Sequence, residues 1–143
     1  MRYWDASALV PVVVAEASTE QMRALLADDG RIVTWAWTLV EITSAVERRA
    51  RDGLLTRAQR RATLDRFAAF AETWDEVTDL LAMRRRAVAL LARHPLRAAD
   101  AAQLAAATLV ADNAPTGLGF VCLDAGLAEA ADREGLRVLP ETP

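Results

Sequence analysis

Lysine is absent from this chain: all seventeen basic residues are arginine. A P-loop nucleotide site needs its lysine, and phosphoaspartate enzymes and receiver domains also set a lysine beside their aspartate, so these classes are excluded. Cysteine and histidine occur once each, as Cys122 and His94. A lone cysteine forms no internal disulfide, and one thiol with one imidazole cannot build the usual zinc cages. Cys122 lies in an apolar run and reads as a buried structural thiol, with no visible link to His94. Long apolar runs are lacking too, since no stretch approaches the roughly 18 residues of a membrane span. The stretch 6–15 is the longest early one, and no small-residue cleavage site follows it. It is expected to be a folded segment rather than a signal peptide, in a cytoplasmic protein with no membrane partner. An excess of positive charge is also missing: the net charge is −3. That argues against a polybasic nucleic-acid binder and leaves room only for a local arginine patch.

What is present is a globular composition, 53% hydrophobic over 143 residues. This suits one domain spanning 1–143, large enough for a single core. Strands are expected at about 3–5, 31–35, 76–77, 119–123 and 137–139. Helical patterns lie between them. Asp5 or Ser7 opens a short helix that tolerates Pro11 only near its first turn. Ser18-Thr19-Glu20-Gln21 has capping-box spacing for a helix to about 27, and Thr38 caps another to about 51. Residues 56–71 and 79–93 are helical, the latter ended by Pro95. The stretch 98–111 is alanine-rich and expected to be buried, Asn113-Ala114-Pro115-Thr116-Gly117 is a loop, and Asp124 starts a helix that ends before Gly135. Strands alternating with helices give an α/β fold: a central, mainly parallel sheet of about four or five strands with helices on both faces.

Four acids stand at or near junctions into helices: Asp5, Glu41, Asp100 and Asp124. In open α/β sheets such junctions gather in one crevice. Carboxylates gathered there repel one another unless a cation neutralises them, which calls for a hard, oxygen-binding divalent ion. Each acid also has a structural reading. Asp5 and Asp124 are good helix caps. Glu41 stands at capping-box spacing from Thr38, and Asp100 lies in a first helical turn, where a carboxylate is favourable. Caps alone leave unexplained why Glu41 and Asp100 sit in strongly apolar surroundings, because burying an unpaired carboxylate costs several kcal/mol.

The segments Asp5-Ala6-Ser7-Ala8-Leu9-Val10, Val40-Glu41-Ile42-Thr43-Ser44-Ala45, Leu96-Arg97-Ala98-Ala99-Asp100-Ala101-Ala102-Gln103-Leu104-Ala105 and Val121-Cys122-Leu123-Asp124 resemble the four characteristic segments of PIN-domain nucleases. More narrowly, they resemble the VapC toxins of bacterial toxin–antitoxin pairs. The resemblance spans nearly the whole chain in the right order. Its first and third segments are specific, and the second and fourth add weight in series. It implies a compact PIN-like α/β fold, an acidic pocket for Mg²⁺ or Mn²⁺, and endoribonuclease cleavage of structured cellular RNA. A small antitoxin partner and a homodimer are implied as well. Position by position, Asp5, Glu41, Asp100 and Asp124 match the catalytic, metal-binding quartet. Asp5 and Asp100 are the expected direct ligands, with Glu41 and Asp124 acting through water or on a second ion. Ser7 matches a hydroxyl residue that positions water, and a helix-capping role is equally open to it. Pro11 and the apolar residues after it depart from the common pattern, where a basic or polar residue stands. Water attack on the phosphodiester would leave a 5′-phosphate and a 3′-hydroxyl.

Two rival readings remain: a catalytically inactive PIN-like module that binds RNA or protein, and an unrelated α/β domain whose acids are caps. Among other residues, Arg84-Arg85-Arg86 reads as a solvated face, and Arg97 as either a phosphate contact or a structural pairing. Trp4, Trp35, Trp37 and Trp74 read as core rather than as base-stacking platforms, and His94 as a loop residue.

Overall fold

The five short apolar runs pair side by side into one sheet, which sets the frame for everything else. In the computed structural model, which describes residues 1–114 and 116–141, the elements run β1 (Arg2–Trp4), α1 (Ala6–Val13), α2 (Thr19–Asp28), β2 (Ile32–Trp35), α3 (Thr38–Arg51), α4 (Arg57–Ala71), β3 (Asp75–Val77), α5 (Leu80–Arg93), α6 (Ala98–Ala111), β4 (Gly119–Val121), α7 (Ala125–Arg133) and β5 (Arg137–Leu139). The strand order is β3-β2-β1-β4-β5, and every pairing is parallel. The expected α/β architecture is therefore present, wholly rather than mainly parallel. Tyr3 lies opposite Val33 on one side and Phe120 on the other, and Trp4 lies opposite Val121.

Side chains alternate across a strand, and this divides the core in two. Tyr3, Val33 and Phe120 enter one layer with Met83 and Leu90 of α5, Leu104 of α6 and Leu127 of α7. Tyr3 and Phe120 stack there, with ring centroids 5.7 Å apart. Trp4, Ile32 and Val121 enter the opposite layer with Leu9 of α1, Met22 of α2, Ile42 and Val46 of α3 and Phe67 of α4. Helices thus cover both faces, as expected. The alanines of α6 from Ala105 to Ala107 are fully buried. Their small side chains let α6 lie close to the sheet and α5. None of the described helices is long and apolar enough to cross a membrane.

The chain leaves β1 toward β2 and β3 on one side, then returns to place β4 and β5 on the other. The reversal of direction falls at β1, and in open α/β sheets the crevice at the carboxyl ends of such strands is where ligands sit. β1 ends at Trp4 and β4 at Val121, so the residues just beyond them, Asp5 and Cys122 to Asp124, occupy that edge.

Several local expectations are corrected. Pro11 lies in the second turn of α1 rather than the first. The helix stops two residues later, so the missing N–H removes little of its bonding. Ser18 is the residue before α2 but forms no side-chain cap. Instead the Thr19 hydroxyl accepts from the Glu16 N–H at 2.8 Å. Thr38 does not cap α3; it is the first helical residue, and its hydroxyl is buried. A capping box forms where Thr56 and Gln59 open α4. His94 does lie in the loop just past α5, but it is buried and places Nε2 2.7 Å from Glu134 Oε1. In the loop 113–117, Pro115 lies outside the described residues.

Candidate metal-binding active site

Asp5 follows β1 directly in an extended conformation and caps α1: its Oδ2 accepts the Ser7 N–H at 2.9 Å and also the Ser7 hydroxyl. The Ser7 Oγ in turn accepts the Leu123 N–H at 3.0 Å. One serine hydroxyl thereby ties the end of β1 to the segment after β4. Asp5 is only 4% exposed. Burial pushes its carboxyl above the usual range, the bonds from Ser7 pull it down, and the charge of Asp100 pushes it up again. Cys122 lies alongside, its Sγ 3.8 Å from Asp5 Oδ2 and 3.4 Å from the Asp124 carbonyl oxygen. Burial drives its thiol far above neutrality, with Asp5 adding to the effect. It is a protonated structural thiol, as its sequence context indicates.

Glu41, in the first turn of α3, is held by two donors on the same oxygen. Trp35 Nε1 reaches Oε1 at 2.8 Å and Gln103 Nε2 at 3.0 Å. Its carboxyl is nevertheless pushed up to about 7, first by burial and then by the charges of Asp5 and Asp100, against the lowering effect of its two donors. Gln103 belongs to a buried polar relay. Tyr3 OH donates to Gln103 Oε1 at 2.7 Å, and Gln103 Nε2 donates to Thr38 Oγ1 at 3.2 Å. Thr38 pairs with Thr34 at 2.6 Å, and Thr34 Oγ1 donates to the Trp4 carbonyl at 2.9 Å. Replacing Gln103 by Leu leaves the Tyr3 hydroxyl and Glu41 short of partners in a closed space. Such a loss costs about 1–3 kcal/mol, a decrease to be read by urea unfolding of the variant beside the parent.

Asp100 is half-buried in the first turn of α6. Burial raises its carboxyl and the charge of Asp124 raises it further, while the backbone and the charge of Arg97 hold it down. Asp124 is exposed and caps α7, its Oδ1 accepting the Leu127 N–H at 2.8 Å. Asp5, Glu41 and Asp100 thus repel one another directly, and Asp124 joins through Asp100. The ion pairs found among the described residues lie elsewhere, and none includes any of these four acids. No three acid, histidine or cysteine side chains among the described residues are grouped closely enough to form a ready-made cage. The donor set is all carboxylate, and Arg97, the one cation among the described residues that acts on it, forms no ion pair with any of the four; this fits a hard divalent ion that keeps several of its own waters, the habit of Mg²⁺.

A groove of about 480 Å³ opens over this region, lined by Ser7, Glu41 and Asp100 together with Trp37, Arg48 and Arg97. A larger groove of about 640 Å³ runs past Arg86, Arg93, Asp112 and Glu134. There Arg86 is bonded to Asp112 and Arg93 to Glu134, while Arg85 in the same lining enters no ion pair found among the described residues. Arg84 and Arg85 face solvent, in keeping with a solvated helix face.

Of the four tryptophans, Trp4 and Trp74 are core and Trp35 is half-buried against Glu41, while Trp37 is 57% exposed. The relay residues Tyr3, Thr34 and Gln103 were not legible as site supports. The available signal was Gln103 itself, a lone amide in an alanine-rich helix, three residues from Asp100 and so on the same helical face.

The family model described as "PIN domain" matches residues 2–133. No curated protein matches the chain significantly. Among solved structures, the chain is similar to one in the crystal structure of FitAcB from Neisseria gonorrhoeae, with TM-score 0.68, 17% identity and 96% of each chain covered. It is likewise similar to one in a toxin–antitoxin complex from Klebsiella pneumoniae, with TM-score 0.62, 16% identity and 87% of each chain covered. At such identities these likenesses speak for the shared fold. The family match covers nearly all of the chain and includes all four acids, and the protein belongs to the PIN-domain family.

Proposed function

We propose that this chain is the toxin of a toxin–antitoxin pair, a VapC-type endoribonuclease that uses Mg²⁺ or Mn²⁺ to hydrolyse a phosphodiester in structured cellular RNA. The observation that carries the reading is the mutual repulsion of Asp5, Glu41 and Asp100, with Asp124 joined through Asp100 and none of the four in an ion pair, near the crevice beyond β1. Asp5 and Asp100 would hold the ion directly, with Glu41 and Asp124 completing its surroundings through water or a second ion. A divalent ion there neutralises the repulsion, polarises the scissile phosphate and acidifies water.

The remaining work falls to the chain. Ser7 fixes the orientation of Asp5, Trp35 and Gln103 fix Glu41, and the Leu127 N–H fixes Asp124. In the reaction, water oxygen bonds to phosphorus, the P–O3′ bond breaks, and the proton ends on the leaving 3′ oxygen. The products carry a 5′-phosphate and a 3′-hydroxyl. Similarity to a chain of a toxin–antitoxin complex supports an antitoxin as partner, and a homodimer belongs to the same reading.

The test is incubation of total cellular RNA with the antitoxin-free protein, with Mg²⁺ or Mn²⁺ and with EDTA. Discrete metal-dependent cuts are expected. Intact RNA with metal-replete protein would favour a non-catalytic binding module instead. A second readout needs no substrate. An ion that binds only the folded state stabilises it by about 2.7 kcal/mol at a hundred times its Kd. For a domain of this size that raises Tm by roughly 5–15 °C. Melting curves with Mn²⁺ and with EDTA that coincide would remove the metal from the proposal.

A further inference from the structure

Trp37 stands just before α3 and leaves its indole 57% exposed, while Trp4 and Trp74 are buried. Its place is the groove into which Ser7, Glu41 and Asp100 open. Val40, also in that groove, is 46% exposed and extends the apolar rim. Arg48 on α3 and Arg97 before α6 complete the lining, are exposed, and enter no ion pair found among the described residues. A flat aromatic surface and two unpaired guanidinium groups therefore share one groove with the carboxylates.

We propose that Trp37 is a stacking platform for one unpaired RNA base beside the scissile phosphate, with Arg48 and Arg97 receiving the flanking phosphates. The inference rests on the ribonuclease reading and narrows its substrate to single-stranded segments and loops. In a duplex the bases are already stacked and paired, so an indole face receives only a base that has been splayed out. Stacking on an aromatic ring tolerates any base, because each has a π-face. Guanidinium forks match phosphate oxygens in pairs. A net charge of −3 offers no long-range attraction, so affinity depends on these local groups and on a divalent ion masking the acids. A protein helix lying along Trp37 and Val40 is the rival occupant, and the two free cations in the same groove favour a polyanion.

The test uses protein carrying Asp100→Asn, so that RNA survives, in Mg²⁺ buffer. The probes are single-stranded dodecamers of uridylate and adenylate, and a duplex of the same length. Single strands are expected to quench tryptophan emission. Adding Trp37→Ala should abolish the quench and weaken single-strand binding about tenfold or more, the range of one base–aromatic stack. Trp37→Phe should keep most of the affinity, and duplex binding should be indifferent to both. Arg48→Ala and Arg97→Ala should each lower the slope of log affinity against log salt by about 0.7. Unchanged affinity and quenching in Trp37→Ala, or equal losses for duplex and single strand, overturn the platform. If the parent protein still cleaves total RNA, that result leaves the nuclease reading standing and assigns the Trp37 surface to a protein partner. A parent that neither cuts nor binds RNA overturns both.

Discussion

Asp100→Asn is expected to reduce RNA cleavage by about 10³-fold or more, because on the proposed mechanism it removes a charge that would fix the ion, on which several kcal/mol of transition-state stabilisation would depend. The replacement has nearly the same shape. Asp100 stands in the first turn of α6, where the Arg97 backbone favours its charged form, and the amide oxygen of Asn can still accept there. Removing one of several mutually repelling charges should leave Tm unchanged or slightly higher. Asp5→Asn should be equally inactive, for a different structural reason. An amide oxygen still accepts from the Ser7 N–H, so the α1 cap survives at a loss of up to about 1 kcal/mol, while the charge is gone. Fragment yields from total RNA, compared across parent, Asp100→Asn and Asp5→Asn at one Mg²⁺ concentration, decide the matter. An Asp100→Asn protein that cuts at the parental rate would remove the acidic crevice from the mechanism.

Glu41→Gln should make the metal-free protein more stable near neutral pH while disabling it. In the folded chain the Glu41 carboxyl is pushed from the ordinary 4.5 up to about 7. The folded state therefore binds this proton more tightly than the unfolded state does. Stability from this group is full below about pH 4.5 and is lost as pH rises through about 7. The unscreened loss is roughly 3 kcal/mol. Glu41 is only partly buried, so solvent screening brings it to about 1–2 kcal/mol. Gln keeps an oxygen for Trp35 and Gln103 but carries no charge. Its expected effect in EDTA is a Tm about 3–8 °C above the parent at pH 8, shrinking toward zero near pH 4.5. Asp5 and Asp100 are shifted in the same direction, so a shallower slope persists in the variant. A variant with a lower Tm than the parent at pH 8 would show that the Glu41 charge is not under strain.

Much of this layout was legible because it depends on local chemistry. Alternation of short apolar runs with helical spacing announced the sheet. Asp5 and Asp124 were recognisable at the mouths of helices because a short carboxylate is the natural acceptor for free amides there. Strand ends were less legible: β2 and β4 are shorter than expected, β3 starts one residue earlier, and β1 ends at Trp4 because Asp5 leaves it to cap α1. For Asp5 and Asp124 the capping reading holds, and it does not compete with the proposed metal role, since the cap would aim the carboxylate. What stayed hidden depends on distant approach. Thr38 looks like a cap from its neighbours, yet its hydroxyl belongs to Gln103 and Thr34, brought close only by packing. Trp35 and Trp37 are two residues apart and look alike in sequence. One turns its indole to Glu41 and the other faces the groove, a difference set by where β2 ends and α3 begins.

All four acids stand at the start of a helix: Asp5 at α1, Glu41 at α3, Asp100 at α6 and Asp124 at α7. A helix start carries a partial positive charge, and a carboxylate there gains about 0.3–1 kcal/mol. Each of these helix starts supplies its own acid with part of the countercharge that an ion would otherwise bring. The consequence concerns the order of events in the life of the chain. On this account folding would not wait for metal, as it does in small zinc modules, and the metal-free chain is expected to be a finished scaffold. Capture of the proposed ion would then follow folding as a separate step, governed by the supply of free divalent ions.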